Sequence, residues 1–382
     1  MRRSELRVRV DQQGGLEIVD PGFDCLDLLR AVDPAFRIHQ AALPEPGLPS
    51  FIRLRRRTAG IARDQLTRLA TPDLVELHDK AMRSQLTNIA GASLLDLKVE
   101  IAHRYLRSCR LCGHRCGVDR AGLEVGLCGL GREAIVAEQF VHIAEEPPIN
   151  PSLVVNLTGC GLRCRYCQQW KLLDTPQVAG DLLELALWPA LDTVGARSIS
   201  FAGGNPDESL FAILGFLNGA PEGWSLPVVW NNHAYCTPEA LRLLEGVVDI
   251  YLPDLKYGNN DCGRRWSGVP DYFDVARQAI TQMLDHKVPV IVRMLVLPGH
   301  VDCCHRPALE WLAEAAAANL SLSVRTQYCP DWKITGTDGS MSVRPAPADT
   351  QSVREEAVRL GFKVVDSGRL DTALIHQSDA GT

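Results

Sequence analysis

Residues 156–170 read Asn-Leu-Thr-Gly-Cys-Gly-Leu-Arg-Cys-Arg-Tyr-Cys-Gln-Gln-Trp and contain Cys160, Cys164 and Cys167 at the spacing C-x3-C-x2-C. An apolar run, 153–157, leads directly into this loop. Three thiolates on one short loop can hold three irons of a cubane iron–sulfur cluster, which leaves the fourth iron without a protein ligand. Such an iron is free to bind a substrate or cosubstrate, whereas an ordinary electron carrier supplies four thiolates. A structural zinc loop is the alternative that the spacing leaves open.

The composition restricts the classes of protein to which the chain can belong. It has 382 residues, of which 46% are hydrophobic, a net charge of −6 and 13 cysteines. This length suits one large domain with additions or two to three smaller ones. The negative charge gives no basic field for nucleic acid. No apolar run suggests a membrane span or a signal peptide, so we expect a cytoplasmic protein without membrane contact. Cysteines in that reducing compartment are typically metal ligands or catalytic thiols.

A second group of cysteines lies upstream of the first. Cys109, Cys112, Cys116 and Cys128 follow the spacing C-x2-C-x3-C-x11-C, with glycines between and after them that let the chain wrap tightly round an ion. Four soft ligands form a closed site that suits either zinc or an iron–sulfur cluster. We favour an auxiliary iron–sulfur cluster because the neighbouring loop already needs iron chemistry.

Apolar segments of strand length alternate with helical segments from residue 153 onward. This alternation predicts a parallel sheet built from β-α units. Chemistry in barrels of such units gathers at the C-terminal ends of the strands, where the candidate polar residues fall. The predicted strands are 153–157, 197–202, 227–231, 248–253, 289–296 and 321–328. The predicted helices between them are 181–190, 207–218, 237–245, 271–286 and 306–318.

The cysteine loop, with Tyr166 before its third cysteine and a strand ahead of it, resembles the radical S-adenosylmethionine superfamily. In that superfamily the open iron chelates the amino and carboxylate groups of S-adenosylmethionine. One electron from the cluster then cleaves the cofactor, and the resulting 5′-deoxyadenosyl radical takes a hydrogen atom from an unreactive carbon. The resemblance therefore implies a [4Fe-4S] cluster and S-adenosylmethionine as cofactors, beside the second metal centre.

Within the superfamily the chain resembles an uncharacterised branch of the pyruvate formate-lyase activating-enzyme-like family. The resemblance runs from about Cys109 to Trp332. It implies an α/β fold with a partial (β/α)6 barrel of the radical SAM type and a cysteine-rich metal-binding segment; the helical N-terminal region that the residue pattern predicts lies outside the resemblance. The stretches that support it, beside the two cysteine groups, are Val229-Trp-Asn, Asp254-Leu-Lys-Tyr-Gly, Trp266-Ser-Gly-Val-Pro, Leu297-Pro-Gly-His and Cys303-Cys304.

The same resemblance implies further contacts to the cofactor. Residues 203–206, Gly-Gly-Asn-Pro, resemble the element that binds the methionyl amino group; asparagine replaces the usual acid, so that group would rest more on backbone carbonyls. Asp254 and Lys256 resemble the Asp-x-Lys element of the activases. With Arg293 they would place the cofactor, hold its ribose or neutralise a carboxylate. The residues expected to contact S-adenosylmethionine are Tyr166, Gly203, Gly204, Asn205, Pro206, Asn231, Asp254, Lys256 and Arg293.

We expect four segments along the chain. They are a mostly helical accessory region (1–105), a cysteine-rich metal-binding segment (106–150), a radical SAM partial barrel (151–332) and a tail packed on the barrel (333–382). The predicted accessory helices are 26–32, 64–69, 71–83 and 94–105, the third with Thr71 as its N-cap. The tail is predicted to contain a helix at 349–360, capped by Gly361, and a short strand at 362–365.

Three functions fit these features. The first is a radical enzyme that takes hydrogen from a C–H bond of a small molecule, such as an epimerase of sugars or natural products; the accessory region would then cover the barrel mouth. The second is an activase that forms a glycyl radical on a partner enzyme. The third is a non-catalytic iron–sulfur or zinc scaffold. The two catalytic alternatives need a reductant such as flavodoxin or ferredoxin.

An epimerase of this kind needs a thiol that returns hydrogen to the substrate. Cys236 follows the third predicted strand and Cys329 follows the sixth, so both are candidates for this catalytic role. The alternative for each is a buried apolar cysteine. An activase needs no such thiol, so substitution of these two cysteines separates the two catalytic functions.

Overall fold

The computed structural model describes residues 48–84, 91–142, 145–173, 180–183, 196–221, 223–315, 317–335 and 339–365, together with the backbone of 7–10 and 16–19. The two short backbone segments form an antiparallel pair, β1 (Arg7–Val10) and β2 (Leu16–Val19). A helix expected near residues 26–32 lies outside the described residues.

An open eight-stranded sheet organises the rest of the chain. Six parallel strands follow one another in sheet order as they do along the chain, and the sheet does not close. They are β4 (Ser152–Leu157), β6 (Ser198–Gly203), β7 (Val228–Trp230), β8 (Ile250–Tyr251), β9 (Val290–Leu295) and β10 (Leu320–Arg325). β3 (Ile135–His142) pairs antiparallel with β4, and β5 (Asp181–Leu182) pairs with β3. All six predicted parallel strands are confirmed, and the fold is α/β with a partial (β/α)6 barrel.

Helices cover the outer face of this sheet, so the parallel strands are buried on both sides; every residue of β4 is buried. α8 (Tyr272–Asp285) has six buried residues and packs against the helix Pro238–Leu244. The helices that follow strands of the barrel are α5 (Leu210–Gly219), α6 (Pro238–Leu244), α7 (Asn260–Ser267), α8 and α9 (Arg306–Glu314). The predicted helix 181–190 is wrong at its start, where β5 lies, and 184–195 are outside the described residues.

The described N-terminal helices are α1 (Ser50–Arg55), α2 (Arg63–Leu66), α3 (Thr71–Arg83) and α4 (Leu94–Leu106). Ser50 donates to Asp249 at the amino end of β8, at 2.9 Å from its backbone and 2.7 Å from its hydroxyl. Lys98 of α4 donates to the carbonyl of Arg242 in α6 at 3.0 Å. These helices therefore lie against the side and the amino end of the barrel. The expectation that this region covers the mouth is not met by its described helices.

Local differences from the predictions have simple causes. Ala70 is the N-cap of α3 and Thr71 is already helical, because Pro72 then occupies the first turn with its fixed φ. Helix α10 (Pro347–Arg359) begins two residues early for the same reason. The predicted strand 362–365 is reduced to one bridge, between Val364 and Leu322 of β10. Among the described residues no helix is both long and apolar enough to cross a bilayer.

Candidate active site

The loop after β4 carries the three cysteines of the motif C-x3-C-x2-C, hereafter the triad. Cys160 and Cys164 are buried and Cys167 is half-buried. Backbone bonds fix the loop to the end of α7: the amide of Arg163 donates to Ser267 at 3.1 Å and that of Arg165 donates to Trp266 at 2.8 Å. The loop is therefore held mainly by backbone contacts, which leave the sulfur atoms available for a ligand.

A chain of hydroxyl groups reaches one of these sulfurs. The Tyr166 hydroxyl bonds the Tyr257 hydroxyl at 2.8 Å, which bonds Ser267 Oγ at 2.7 Å, and Ser267 Oγ lies 2.9 Å from Cys164 Sγ. A hydroxyl that donates to sulfur stabilises the thiolate form. Burial raises the pKa of the Cys164 thiol and raises that of Cys167 to about 12, so without a metal these groups keep their protons. The donor set suits a cation that displaces those protons.

The four cysteines between 109 and 128, hereafter the quartet, lie in one region of the structure. A Cβ placed on Gly126 would lie 3.2 Å from Cys128 Sγ and 3.7 Å from Cys116 Sγ. The pKa of the Cys112 thiol is raised mainly by burial, then by the nearby Glu208, and further by Cys128 and Cys109. Three quartet members are buried and Cys116 is half-buried.

A buried cation beside the quartet supports a negatively charged centre there. The Arg120 side chain is fully buried. Its Nε donates to the carbonyl of Gly131 at 2.9 Å and its Nη1 lies 3.7 Å from Cys109 Sγ. Its other terminal nitrogen has no hydrogen-bond partner among the described residues. Because an isolated buried charge is costly, metal-bound thiolates of net negative charge fit this position.

The triad and the quartet are joined directly. The amide of Cys160 donates to the carbonyl of Cys128 at 3.1 Å, and Nε2 of His114 lies 2.8 Å from the carbonyl oxygen of Gly161. A Cβ on Gly161 would lie 3.4 Å from Cys112 Sγ. Two metal centres held by these residues would therefore be neighbours.

Two buried acids, which the sequence analysis missed as site residues, lie beside this junction. Glu208 accepts the amide of Gly161 at 2.7 Å, and His233 and Asn205 hold the pKa of its carboxyl below the usual range in spite of burial. Asp207 accepts from the Trp230 indole at 2.7 Å and from Asn232 at 3.0 Å; its pKa is raised by burial and by Glu208. Adjacent acids directly after Gly-Gly-Asn-Pro were the signal in the sequence.

The Gly-Gly-Asn-Pro element lies at the end of β6, next to the cysteine loop. Gly203 has a φ of +101°, and a Cβ on Gly204 would overlap the carbonyl oxygen of Gly159. Glycine is thus required for the close backbone approach. Asn205 is buried; its amide nitrogen donates to Asp207 at 3.0 Å and its oxygen accepts the amide of His233 at 3.1 Å. The hydrogen-bonding groups of the Asn205 side chain are therefore already bonded within the protein. Pro206 begins the turn that carries Asp207 and Glu208.

The ends of β8 and β9 carry charged side chains. Asp254 Oδ2 lies 2.8 Å from Lys256 Nζ, and the two side chains are 38% and 19% exposed. Burial alone would raise the pKa of Asp254, but Lys256 and then Arg293 lower it below the usual range. The residue after Lys256, Tyr257, bonds Ser267 Oγ, which lies 2.9 Å from Cys164 Sγ, so this segment runs beside the triad. Asp254 is thus partly exposed, just beyond the end of β8.

Arg293, in contrast, is already paired. Its Nε donates to Glu146 at 2.8 Å, and its Nη2 bonds Glu146 at 2.5 Å as well as Glu145. Ser323 and Arg325 complete the surroundings of Glu146, at 2.7 Å and 3.5 Å. The carboxylates neutralised by Arg293 thus belong to the chain itself, from the segment before β4. Asn231 continues the end of β7, half-buried, with its amide bound to Phe201.

The two candidate thiols lie in different surroundings. Cys236 is 1% exposed; Asn232 Nδ2 lies 3.6 Å from its sulfur, and its backbone forms a bridge with Cys112 of the quartet. Cys329 is half-buried, on the loop that follows β10. That loop contacts the cysteine loop, since Gln168 Nε2 donates to the carbonyl of Gln327 at 3.3 Å.

Comparisons with known proteins agree with this site. Residues 157–312 match the Radical SAM superfamily. The chain is 34% identical over 277 residues to the uncharacterized protein MJ0674 of Methanocaldococcus jannaschii, across 68% of this chain and 80% of that protein. The chain belongs to the radical S-adenosylmethionine superfamily, whose members use a [4Fe-4S] cluster and S-adenosylmethionine for radical chemistry.

Solved structures of radical SAM proteins show a limited likeness. SuiB of Streptococcus suis is 14% identical over 61% of this chain, with a TM-score of 0.37, and the chain spans about half of its length, 51%. A domain of a pyruvate-formate lyase-activating enzyme from Bacteroides vulgatus is 14% identical over 45% of this chain and all of that domain, with a TM-score of 0.35. A radical SAM methyltransferase from Sphaerobacter thermophilus is 12% identical over 77% of this chain and 92% of its own, with a TM-score of 0.41. None of these likenesses decides a substrate.

Proposed function

We propose that this radical SAM enzyme holds its radical-generating cluster on Cys160, Cys164 and Cys167 and an auxiliary iron–sulfur cluster on Cys109, Cys112, Cys116 and Cys128. When bound, the first cluster supplies the electron that cleaves S-adenosylmethionine. The chain's residues position the loop, exclude water from its buried sulfurs and present Asp254, Lys256 and the end of β6 to the cofactor.

The observation that carries this proposal is the direct junction of the triad and the quartet. The bond from Cys160 to the carbonyl of Cys128, at 3.1 Å, and the buried Arg120 favour two adjacent anionic centres. Among the described residues, three sulfurs within 4.8 Å of one another occur at Cys262, Cys303 and Cys304, so neither the triad nor the quartet has the compact spacing of a single-ion site. Thiolates on different irons of a cubane stand further apart than thiolates on one ion. An auxiliary cluster in contact with the loop is suited to pass electrons to it.

For the reaction we propose hydrogen abstraction from a C–H bond of a small molecule, with Cys329 as the thiol that returns hydrogen. Cys329 is half-buried and its loop contacts the cysteine loop, and both features support its role as hydrogen donor. Cys236 is less suited, because it is 1% exposed and its backbone is bridged to Cys112 of the quartet. The segment after β10 also packs against the end of the cysteine loop, since the Trp332 ring stacks on Trp170 with centroids 6.4 Å apart.

The second candidate is an activase that forms a glycyl radical on a partner enzyme. One observation favours it: the described N-terminal helices lie at the side and the amino end of the barrel, so they leave the mouth open to a larger substrate. An activase needs neither Cys236 nor Cys329. A variant with alanine at both Cys236 and Cys329 that still cleaves S-adenosylmethionine but no longer converts the small molecule would support the first reaction, and formation of a glycyl radical on a partner enzyme by this variant would favour the activase.

The experiment that tests the metal assignment is the iron and sulfide content after anaerobic reconstitution, together with formation of 5′-deoxyadenosine under a strong reductant. We expect about eight irons per chain, and about four in a variant with alanine at all three triad positions. That variant should form no 5′-deoxyadenosine, whereas a Cys329→Ser control should match the wild type in both measurements. Unchanged iron in the triad variant would contradict the proposal.

A further inference from the structure

A third group of cysteines lies away from the triad and the quartet. The sulfur atoms of Cys262, Cys303 and Cys304 all lie within 4.8 Å of one another, and those of Cys303 and Cys304 are 3.8 Å apart. All three are free thiols. We propose that these three cysteines bind one thiophilic metal ion, zinc in the first place, as a structural clip between α7 and the turn before α9.

The separation of the sulfurs suits a single ion. Two thiolates bound to one tetrahedral zinc, at Zn–S distances of about 2.3 Å, stand about 3.8 Å apart. The Cys303–Cys304 separation has this value. The triad and the quartet are spread more widely, so the three cysteine groups of the described chain differ in the kind of metal centre that they fit.

The local backbone turns neighbouring side chains toward one point. Residues 303 and 304 lie in a π-helical turn, Val301–His305, that leads into α9. Adjacent residues of an ordinary α-helix do not face each other, whereas a π turn widens the helix and is frequent at functional sites. Cys262 approaches from the first turn of α7. The site therefore joins two segments that the chain separates by α8 and β9.

The side chain of Asn259 contacts all three cysteines. Asn259 Oδ1 accepts the amide of Cys262 at 2.8 Å, while its Nδ2 donates to the carbonyl of Cys303 at 2.5 Å and lies 3.5 Å from Cys304 Sγ. A Cβ on Gly258 would overlap the carbonyl oxygen of Cys304, so glycine is required for this approach. Donors fixed around a metal-bound sulfur orient it and stabilise the thiolate.

The ligand set and its exposure indicate the kind of ion and its environment. Three soft sulfur ligands select zinc or another thiophilic ion over magnesium or calcium. Cys304 is buried, Cys262 is half-buried and Cys303 is exposed. An ion bound here would therefore lie at the surface, with its fourth position open to water.

The clip would act on the triad through α7. Cys262 lies in the first turn of this helix, and Ser267, whose Oγ is 2.9 Å from Cys164 Sγ, ends it. Ser267 follows Cys262 by five residues, about 7.5 Å along the helix axis, so fixing Cys262 also fixes the position of Ser267. The clip requires no radical chemistry, and its test is independent of the proposed function.

The test uses zinc, the folded wild-type protein and the exposure of Cys303. We expect one zinc per chain more in the wild type than in Cys262→Ser/Cys303→Ser, and X-ray absorption at the zinc edge should show three sulfur neighbours at about 2.3 Å. The matched control is Cys329→Ser, a half-buried cysteine outside the group, which should keep the ion.

A second measurement needs no variant and so does not depend on the folding of one. Alkylation of Cys303 in the wild type should be slowed at least about tenfold by zinc relative to chelator, because the free thiolate is the reactive form. Alkylation of Cys329 should change less than about twofold, since no cluster of thiols holds it. Equal labelling of Cys303 with and without zinc, or a disulfide within the group in protein kept anaerobic, would overturn the proposal. Iron content and 5′-deoxyadenosine formation remain separate readouts of the proposed function.

Discussion

The two sides of the barrel mouth are built by different interactions. At the ends of β4 and β6, hereafter the cysteine side, backbone amides, glycines and hydroxyl groups hold the cysteine loop, as in the bonds from Cys160 to Cys128 and from Gly161 to Glu208. At the ends of β8 and β9, hereafter the charged side, ion pairs hold the structure, as Arg293 does with Glu146. The difference indicates that the cysteine side depends on close backbone approach and the charged side on compensation of buried charge.

The largest loss of stability should come from removing the ion pairs of Arg293 on the charged side. Arg293→Met would leave Glu145 and Glu146, both buried, without their guanidinium. Removal of one partner of a buried ion pair costs about 3–5 kcal/mol. We expect that loss in the free energy of unfolding, measured by anaerobic denaturant titration of the reconstituted protein. Arg264→Met removes an exposed pair with Asp261 and should cost less than about 1 kcal/mol; equal losses would contradict the comparison.

A single added methyl group should destabilise the cysteine side. Gly204→Ala would force a Cβ onto the carbonyl of Gly159, and we expect a loss of about 1–3 kcal/mol together with reduced cluster incorporation. Gly215→Ala in α5 is the matched control, since nothing lies within 4 Å of its added Cβ. This control should stabilise the protein by about 0.5–1 kcal/mol. Iron content and denaturant midpoints measure both variants, and normal loading of Gly204→Ala would contradict the role of backbone approach.

The charged side should also respond to acid. The pKa of Glu145 lies well below its ordinary value of 4.5, because Arg293 and then His142 outweigh the effect of burial. A depressed folded-state pKa gives stability that is complete above about pH 4.5 and is lost as the pH falls toward the folded-state pKa. Glu145→Gln removes one such titration, so the stability of this variant should fall less steeply below pH 4.5, by up to roughly 1.4 kcal/mol per pH unit. Parallel curves for the variant and the wild type would contradict this assignment.

The smallest effect should come from the hydroxyl chain that leads to Cys164. Tyr257→Phe removes bonds to Tyr166 at 2.8 Å and to Ser267 at 2.7 Å, and we expect a loss of about 1–2 kcal/mol. A double-mutant cycle with Tyr166→Phe should give a coupling of about 0.5–1 kcal/mol, since the two hydroxyls share a bond. Additive losses would show that the two hydroxyls act independently.

The sequence predicted what depends on local pattern. Six parallel strands and the site loops that follow them were predictable because apolar segments and motif cysteines are contiguous. Contacts between segments that are distant in the chain were not predictable. Nothing near Arg293 in the chain indicates Glu145 and Glu146, and Cys262 is separated from Cys303 by a helix and a strand. The buried pair Asp207 and Glu208 was predicted only as the start of a helix, because acids in a first turn usually face solvent.

The quartet also constrains the order in which the protein matures. Its segment docks on residues after β7: the amide of Gly113 donates to Tyr235 at 2.9 Å, Thr237 donates to Arg110 at 2.7 Å, and Arg115 pairs with Glu239 at 2.6 Å. The cysteines leave the ribosome long before this platform exists. Because the platform forms only when β7 and α6 have folded, the docked shape of the quartet depends on barrel residues that follow it in the chain. An auxiliary cluster at the proposed site would therefore reach its final geometry only after this part of the barrel has folded.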